Sequence, residues 1–251
     1  MARMLFSASR VQTEVTSQRR KNAERSGLGR ASTAGRVADV LRTRITEGHL
    51  PPGTRLSEED IGAALGVSRN TLREAFRLLG HERLLLHEFN RGVFVRRLTV
   101  DDVRDLYQLR RILECGAVRR AAERRRTDLS AGRWAELLVP VREAVEEGES
   151  AAARDQWVEV GTANMHFHQA VAALAQSPRV TEAMGHLLAE LRLVFHVMDA
   201  PRAFHQAYLP ENRAILELLA AGELDAAESA MATYLDAAEA QLIDAYSASP
   251  A

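Results

Sequence analysis

The densest run of hydrogen-bonding chemistry in the chain is Ser68-Arg-Asn-Thr71, with Arg73 two positions further on. Guanidinium forks, an amide and two hydroxyls are the groups that meet phosphate oxygens and base edges. Their spacing places them at the beginning of a helix. Ser68 is its N-cap, with a hydroxyl able to accept from the amide of Asn70 or Thr71. Arg69, Asn70, Thr71 and Arg73 then project from the helix start, while Leu72, Phe76 and Leu79 hold the opposite face inside.

The neighbouring elements are those needed to present such a helix. Ile61, Ala64 and Leu65 recur at helical spacing after Ser57, Gly66 permits a sharp turn, and Val67 returns an apolar side chain to the core. Beyond the second helix, Phe89-Asn-Arg-Gly-Val-Phe-Val95 reads as one arm of a hairpin. Helix, turn, helix and hairpin in this order suit entry into the major groove of duplex DNA.

Charge agrees with this once it is counted by segment. The chain total is −1. Met1 to Ala34 carries seven basic and two acidic residues, Gly35 to Leu98 eleven and eight, and Thr99 to Ala251 fifteen and twenty-four. A basic front and an acidic rear fit a protein whose first part neutralises phosphates and whose second part does not. Residues 1–34, rich in Ser, Gly, Ala and Arg and lacking periodicity, read as a disordered basic tail. Within it Arg19-Arg-Lys21 is either a phosphate-touching arm or part of a dispensable extension.

From Val37 to Val95 the chain resembles the winged helix-turn-helix of the GntR family of bacterial transcription regulators. The likeness is carried by Leu50-Pro-Pro-Gly-Thr-Arg-Leu56, Val67-Ser-Arg-Asn-Thr-Leu-Arg-Glu-Ala75 and Gly92-Val-Phe-Val95. It implies a DNA-binding domain over residues 35–98, with DNA contacts from Ser68, Arg69, Asn70, Thr71 and Arg73. It also implies a wing tip at Asn90, Arg91 and Gly92 that reaches the minor groove. Glu59 stands where some members place a DNA-contacting arginine.

After Leu98 the pattern is helical only. A long helix from Thr99 to about Arg126 carries the stripe Val103, Leu106, Leu109, Leu113, Ala117 and Ala121. Segments follow at Ser130–Glu147, kinked or split at Pro140, then at Ala151–Ala175, Ser177 to about Met198, Phe204–Ala221 and Glu223–Tyr246. Ser177-Pro178 marks one helix start, and Gly222 separates the last two helices. The fold class expected is mostly α, a winged helix-turn-helix followed by an all-α six-helix bundle over residues 99–251. A lone Cys115 on an apolar face argues for packing and a reducing compartment. No run approaches a membrane span and no secretory signal opens the chain, so the expected location is cytoplasmic.

The bundle resembles the FCD effector domain of the FadR branch, nearest its VanR-like group, through Leu109-Arg-Arg-Ile-Leu-Glu114, Asn164-Met-His-Phe-His168, Asn212-Arg-Ala-Ile215 and Ala230-Met-Ala-Thr-Tyr-Leu235. Many members hold a divalent metal with an aspartate and three histidines, whose four positions here are Asn164, His168, Asn212 and Tyr234. Three of the four ligands are replaced, and an amide carbonyl or a phenol is a poor substitute for carboxylate and imidazole, so no metal cofactor is expected. Asn164 and His168, four apart, share a helix face. What remains is a set of hydrogen-bonding groups suited to a small, neutral or singly charged organic effector. Arg110, at the family's arginine position, and Arg192 are candidates to meet a carboxylate. The structural alternative for each is a salt bridge, Arg110 with Glu114 one turn away and Arg192 across the bundle.

Enzymatic chemistry has no foothold. The chain lacks Gly-x-Ser-x-Gly, a phosphate-cradling glycine loop, His-Glu-x-x-His and Cys-x-x-Cys. The expectation is an effector-controlled DNA-binding regulator acting as a homodimer on a palindromic operator, most simply a repressor. The competing expectation is a constitutive DNA-binding regulator with a vestigial pocket.

Overall fold

The computed structural model describes residues 32–195 and 201–248. They fall into two compact units, divided between Arg97 and Leu98. The expected tail lies outside the described residues except at its end, where the sequence reading needs correction. Ser32 accepts from the Gly35 amide and caps a helix beginning at Thr33, because Ala34 and Val37 are the first turn of the apolar face that this helix buries.

The first unit is built from α1 (Thr33–Thr46), β1 (Arg55–Leu56), α2 (Glu58–Leu65), α3 (Arg69–His81), β2 (Leu85–Glu88) and β3 (Gly92–Val95). Its three strands are antiparallel in the order β1-β3-β2. The two-residue β1 is too short to leave a period in the sequence. Val37, Leu41 and Ile45 of α1 meet Leu72, Phe76 and Leu79 of α3 in the core, with Ile61, Leu85, Val93 and Val95 completing it. Arg42 of α1 donates two hydrogen bonds to Glu82, 2.5 and 2.6 Å long, so the far end of α3 is tied to α1.

The second unit is entirely helical: α4 (Val100–Thr127), α5 (Ala131–Leu137), α6 (Val139–Ala153), α7 (Trp157–Ala173), α8 (Pro178–Phe195), α9 (Pro201–His205), α10 (Tyr208–Ala221) and α11 (Leu224–Ala248). Six are long and two are short. Thr99 and Asp102 form a reciprocal capping box that starts α4. Pro140 splits the segment after Ser130, and α6 continues to Ala153, beyond the expected end at Glu147. The next helix therefore opens at Trp157 and not at Ala151. The segment expected from Phe204 is also broken, into α9 and α10.

The apolar stripe read off α4 is buried at Val103, Leu106, Ala117 and Ala121 and half-buried at Leu113, and departs from the expectation at Leu109. Leu109 is 42 % exposed, whereas Tyr107, Arg110 and Glu114 are buried among Val103, Leu106, Ala117, Val118 and Ala121. A charged pair spaced four apart thus occupies the core face, with α4 lying against α11, α7 and α8.

Candidate functional sites

Two glycine- and serine-controlled corners position the exposed start of α3. Ser57 caps α2 through the Asp60 amide, and Gly66 ends that helix at φ 64°, a left-handed conformation that costs a glycine little. Ser68 then accepts from the Thr71 amide at 3.2 Å and shares a 2.9 Å hydrogen bond with its hydroxyl. Ser68, Arg69 and Asn70 are exposed, Thr71 is half-buried, and Leu72 behind them is inside. Arg73 is also exposed, with Nε 3.1 Å from both carboxylate oxygens of Glu58 on α2. Sequence reasoning did not anticipate that partner, which sets the direction of Arg73 across the helix pair.

Glu88 pairs with Gly92 across the β2–β3 hairpin, leaving Phe89, Asn90 and Arg91 as the turn. Asn90 adopts φ 58° and Gly92 φ 112°. Asn90 and Arg91 are exposed and Gly92 is half-buried. Arg91 lies 2.5 Å from Glu88 and stacks 5.7 Å over the Phe94 ring. Phe89, 85 % exposed, is an apolar side chain at the tip that sequence reasoning passed over.

Inside the second unit, four of the sequence candidates form one hydrogen-bonded set. Asn164 and His168 come from α7, Asn212 from α10 and Tyr234 from α11. Asn164 Oδ1 accepts from Asn212 Nδ2 at 2.8 Å and from the Tyr234 hydroxyl at 3.0 Å. His168 Nε2 lies 3.2 Å from the same hydroxyl, and His168 Nδ1 is 2.6 Å from Glu114 Oε2. Arg110 joins at the far end, donating from Nε to Glu114 Oε1 at 2.9 Å, with its guanidinium 4.7 Å over the Tyr107 ring. Arg192 is placed elsewhere, donating to Thr162 Oγ1 at 2.6 Å.

Glu114 is the keystone that sequence reasoning treated only as Arg110's neighbour. Burial works to raise its pKa, but the charges of His168 and Arg110 and their hydrogen bonds outweigh that and hold it below the usual carboxylate range. An ionised Glu114 is acceptor-only, so His168 Nδ1 carries the hydrogen of their contact. Burial lowers the His168 pKa, partly opposed by Glu114. Tyr234 is pushed well above the phenol range, chiefly by burial. His205, from the short α9, was missed because nothing in its spacing marks it. Burial and the Arg192 charge lower its pKa to about 4.

Asn212 Oδ1 and His205 Nδ1 are buried without a hydrogen-bond partner among the described residues. Both residues line a cavity of about 10 Å³ with Asn164, Ala144, Val145, Gly148, Val160 and Leu209. That is roughly the space one water needs. Among the described residues no group of three or more His, Cys, Asp or Glu side chains is placed to hold a metal ion. Asn164 Oδ1 is already shared by two donors, His168 is engaged at both nitrogens, and Asn212 and Tyr234 supply neither imidazole nor carboxylate. Cys115 is buried with its thiol raised to about 11, chiefly by burial, which leaves it a packing residue.

An exposed, serine-capped second helix beside a β-hairpin wing, in a chain that adds a helical domain with a buried polar cluster, defines a winged-helix transcription regulator. The comparisons with known proteins agree. The profile for bacterial regulatory proteins of the gntR family matches residues 33–95, and that for the FCD domain matches residues 105–237. The chain is 28 % identical over 210 residues to the "Probable D-xylose utilization operon transcriptional repressor" of Paenarthrobacter nicotinovorans, covering 84 % of this chain and 88 % of that protein. It is 32 % identical over 162 residues to the Nta operon transcriptional regulator of Aminobacter aminovorans, covering 64 % and 73 %. A solved transcriptional regulator GntR from Rhodococcus sp. RHA1 superposes with a TM-score of 0.75 at 45 % identity, covering 85 % of this chain and 98 % of that one. The chain belongs to the gntR family and carries an FCD domain. It is a DNA-binding transcription regulator and not an enzyme. No helix among the described residues is long and apolar enough to cross a membrane.

Proposed function

We propose that this protein is a cytoplasmic, homodimeric repressor that reads a palindromic operator and releases it when a small organic effector, carboxylate-bearing by preference, enters the bundle. The observation that carries the DNA half is the Ser68-capped start of α3, with Arg69 and Asn70 facing solvent. Arg69 reads a base edge, Arg73 holds a phosphate, and Asn90, Arg91 and Gly92 follow the minor groove. Ser68, Asn70 and Thr71 fix the register.

The effector half rests on the polar set of Asn164, His168, Asn212 and Tyr234, with Arg110 behind Glu114 and Arg192 near His205. It works without a metal. An effector has to loosen the contacts these groups make with each other, since about 10 Å³ holds no organic molecule. Occupancy would thereby alter the bundle that carries the two reading heads, and operator affinity must differ between the two states. The same small cavity favours a second reading, a constitutive regulator whose pocket is vestigial.

Selection of genomic fragments by the purified protein tests the DNA half, with enrichment of an inverted repeat expected and no enrichment at low salt fatal to it. A melting-temperature screen of small carboxylates, sugar acids and amino-acid catabolites separates the two effector readings. A true effector stabilises by mass action and weakens operator binding in the same concentration range. A screen in which nothing does both leaves the constitutive reading standing.

A further inference from the structure

The outward face of α4 carries apolar surface that the other described residues leave uncovered. Ile112 is 69 % exposed and Leu109 42 %. Gly116, one turn further on, is a mid-helix glycine whose added Cβ would meet nothing within 4 Å. Glycine is less favourable than alanine in a helix interior, and no contact among the described residues accounts for it there. Asp105, Leu109, Ile112, Gly116 and Arg120 recur at spacings of three and four, so they form one stripe opposite the buried face of Leu106, Arg110, Glu114 and Val118.

The stripe is complementary to itself when reversed. About a twofold axis between Ile112 and Leu113, each residue faces the one whose number completes the same sum. Leu109 meets Gly116, a large side chain over an open position; Asp105 meets Arg120; the two exposed Ile112 side chains flank the axis. At the ends Asp101 faces Arg124, each of which already has a partner in its own chain, Arg104 and Asp128, so Asp105 and Arg120 carry the charge argument. Asp105 makes no salt bridge among the described residues, and Arg120 has only the exposed Glu123 at 3.1 Å. A parallel pairing would set like charges together, whereas the antiparallel one joins opposite charges at both ends.

We propose that α4 packs antiparallel on α4 of a second copy of this chain, with Leu109 seated over the partner's Gly116 and Asp105 against the partner's Arg120. This rests on the homodimer reading above and assigns its interface. Antiparallel helices with this spacing interlock at interaxial distances of 8–10 Å, and a glycine at the crossing lets the backbones come to the near end of that range.

Light scattering on the full chain at micromolar concentration tests it, with circular dichroism to confirm that each variant stays helical. Ile112→Glu and Gly116→Leu should each weaken dimerisation by at least about tenfold, and Asp105→Arg or Arg120→Asp alone should do so more mildly. Combining Asp105→Arg with Arg120→Asp restores the pairing and should restore the dimer, which a merely unfolded variant would not do. If the wild type is a dimer and the variants at Ile112 and Gly116 remain dimers, or the double swap stays as weak as the single ones, this interface is wrong while the dimer stands. A wild type that is monomeric at every concentration overturns the homodimer reading itself.

Discussion

Arg69 and Arg73 are one turn apart on the same helix, yet their surroundings differ. Arg69 is exposed and makes no salt bridge among the described residues, while Arg73 is oriented by Glu58. Arg69→Ala is expected to relax choice at one base step, losing roughly 1–3 kcal/mol of discrimination. Arg73→Ala should weaken binding to operator and random duplexes alike and lower the salt dependence by about one phosphate's worth. Equal losses on all sequences for both variants, in fluorescence anisotropy titrations, would refute this division. In the bundle, Glu114→Gln leaves Arg110 buried with no counter-charge and should cost about 3–5 kcal/mol in urea unfolding. Adding Arg110→Met should recover part of that loss. A Glu114→Gln variant as stable as the wild type would mean that the pair is not buried as described.

At the scale of elements, the corner between α2 and α3 is decided by one backbone conformation. Gly66→Ala forces an L-residue into φ 64° and should destabilise the first unit by about 1 kcal/mol, read as a lower melting temperature of the DNA-binding domain. A variant melting at or above the wild type would remove the strain argument. The elements also show where sequence reading stops. Gly66, Ser68, Ser177-Pro178 and Gly222 end or start helices where their chemistry says, because caps and left-handed turns are local. The Ala151 start and the unbroken segment from Phe204 fail at two local signals that sequence reading passed over. Asp155 takes φ 58° between α6 and α7, and Pro210 stands in the first turn of α10, where proline is tolerated.

For the whole molecule, acid should be destabilising. His168 and His205 have pKa values lowered by burial, so between the unfolded value near 6.5 and the folded one the unfolded chain binds the extra protons. Their contribution is complete above about pH 6.5 and is lost as pH falls. The depressed Glu114 adds a loss at lower pH, as it falls past the unfolded carboxylate value near 4.3 toward its folded one. For His205, falling to about 4, the loss approaches about 3 kcal/mol. Melting temperature should therefore drop from pH 7 to pH 4.5, and His205→Gln should flatten that drop. A wild-type profile level across the range would contradict the burial of both imidazoles. Chelator treatment is expected to leave the melting temperature unchanged, with bound metal well below one equivalent per chain. A tightly held stoichiometric zinc would overturn the reading of Asn164, Asn212 and Tyr234.

The corner of α2, turn and α3 was legible residue by residue, because its caps, its turn glycine and its 3.6-residue apolar period act within a few positions of themselves, whereas the start of α1 and the two-residue β1 were not. The helical character of the second domain was legible for the same reason, and so was the shared face of Asn164 and His168. The buried face of α4 was legible at Val103, Leu106, Ala117 and Ala121, but tertiary structure alone decided that Arg110 and Glu114 belong to it and Leu109 does not. It also brought His205 from a short, unmarked helix to the cavity beside Asn212. Periodicity locates the inside of a helix; only the shapes and charges of the helices packed against it determine where that inside ends.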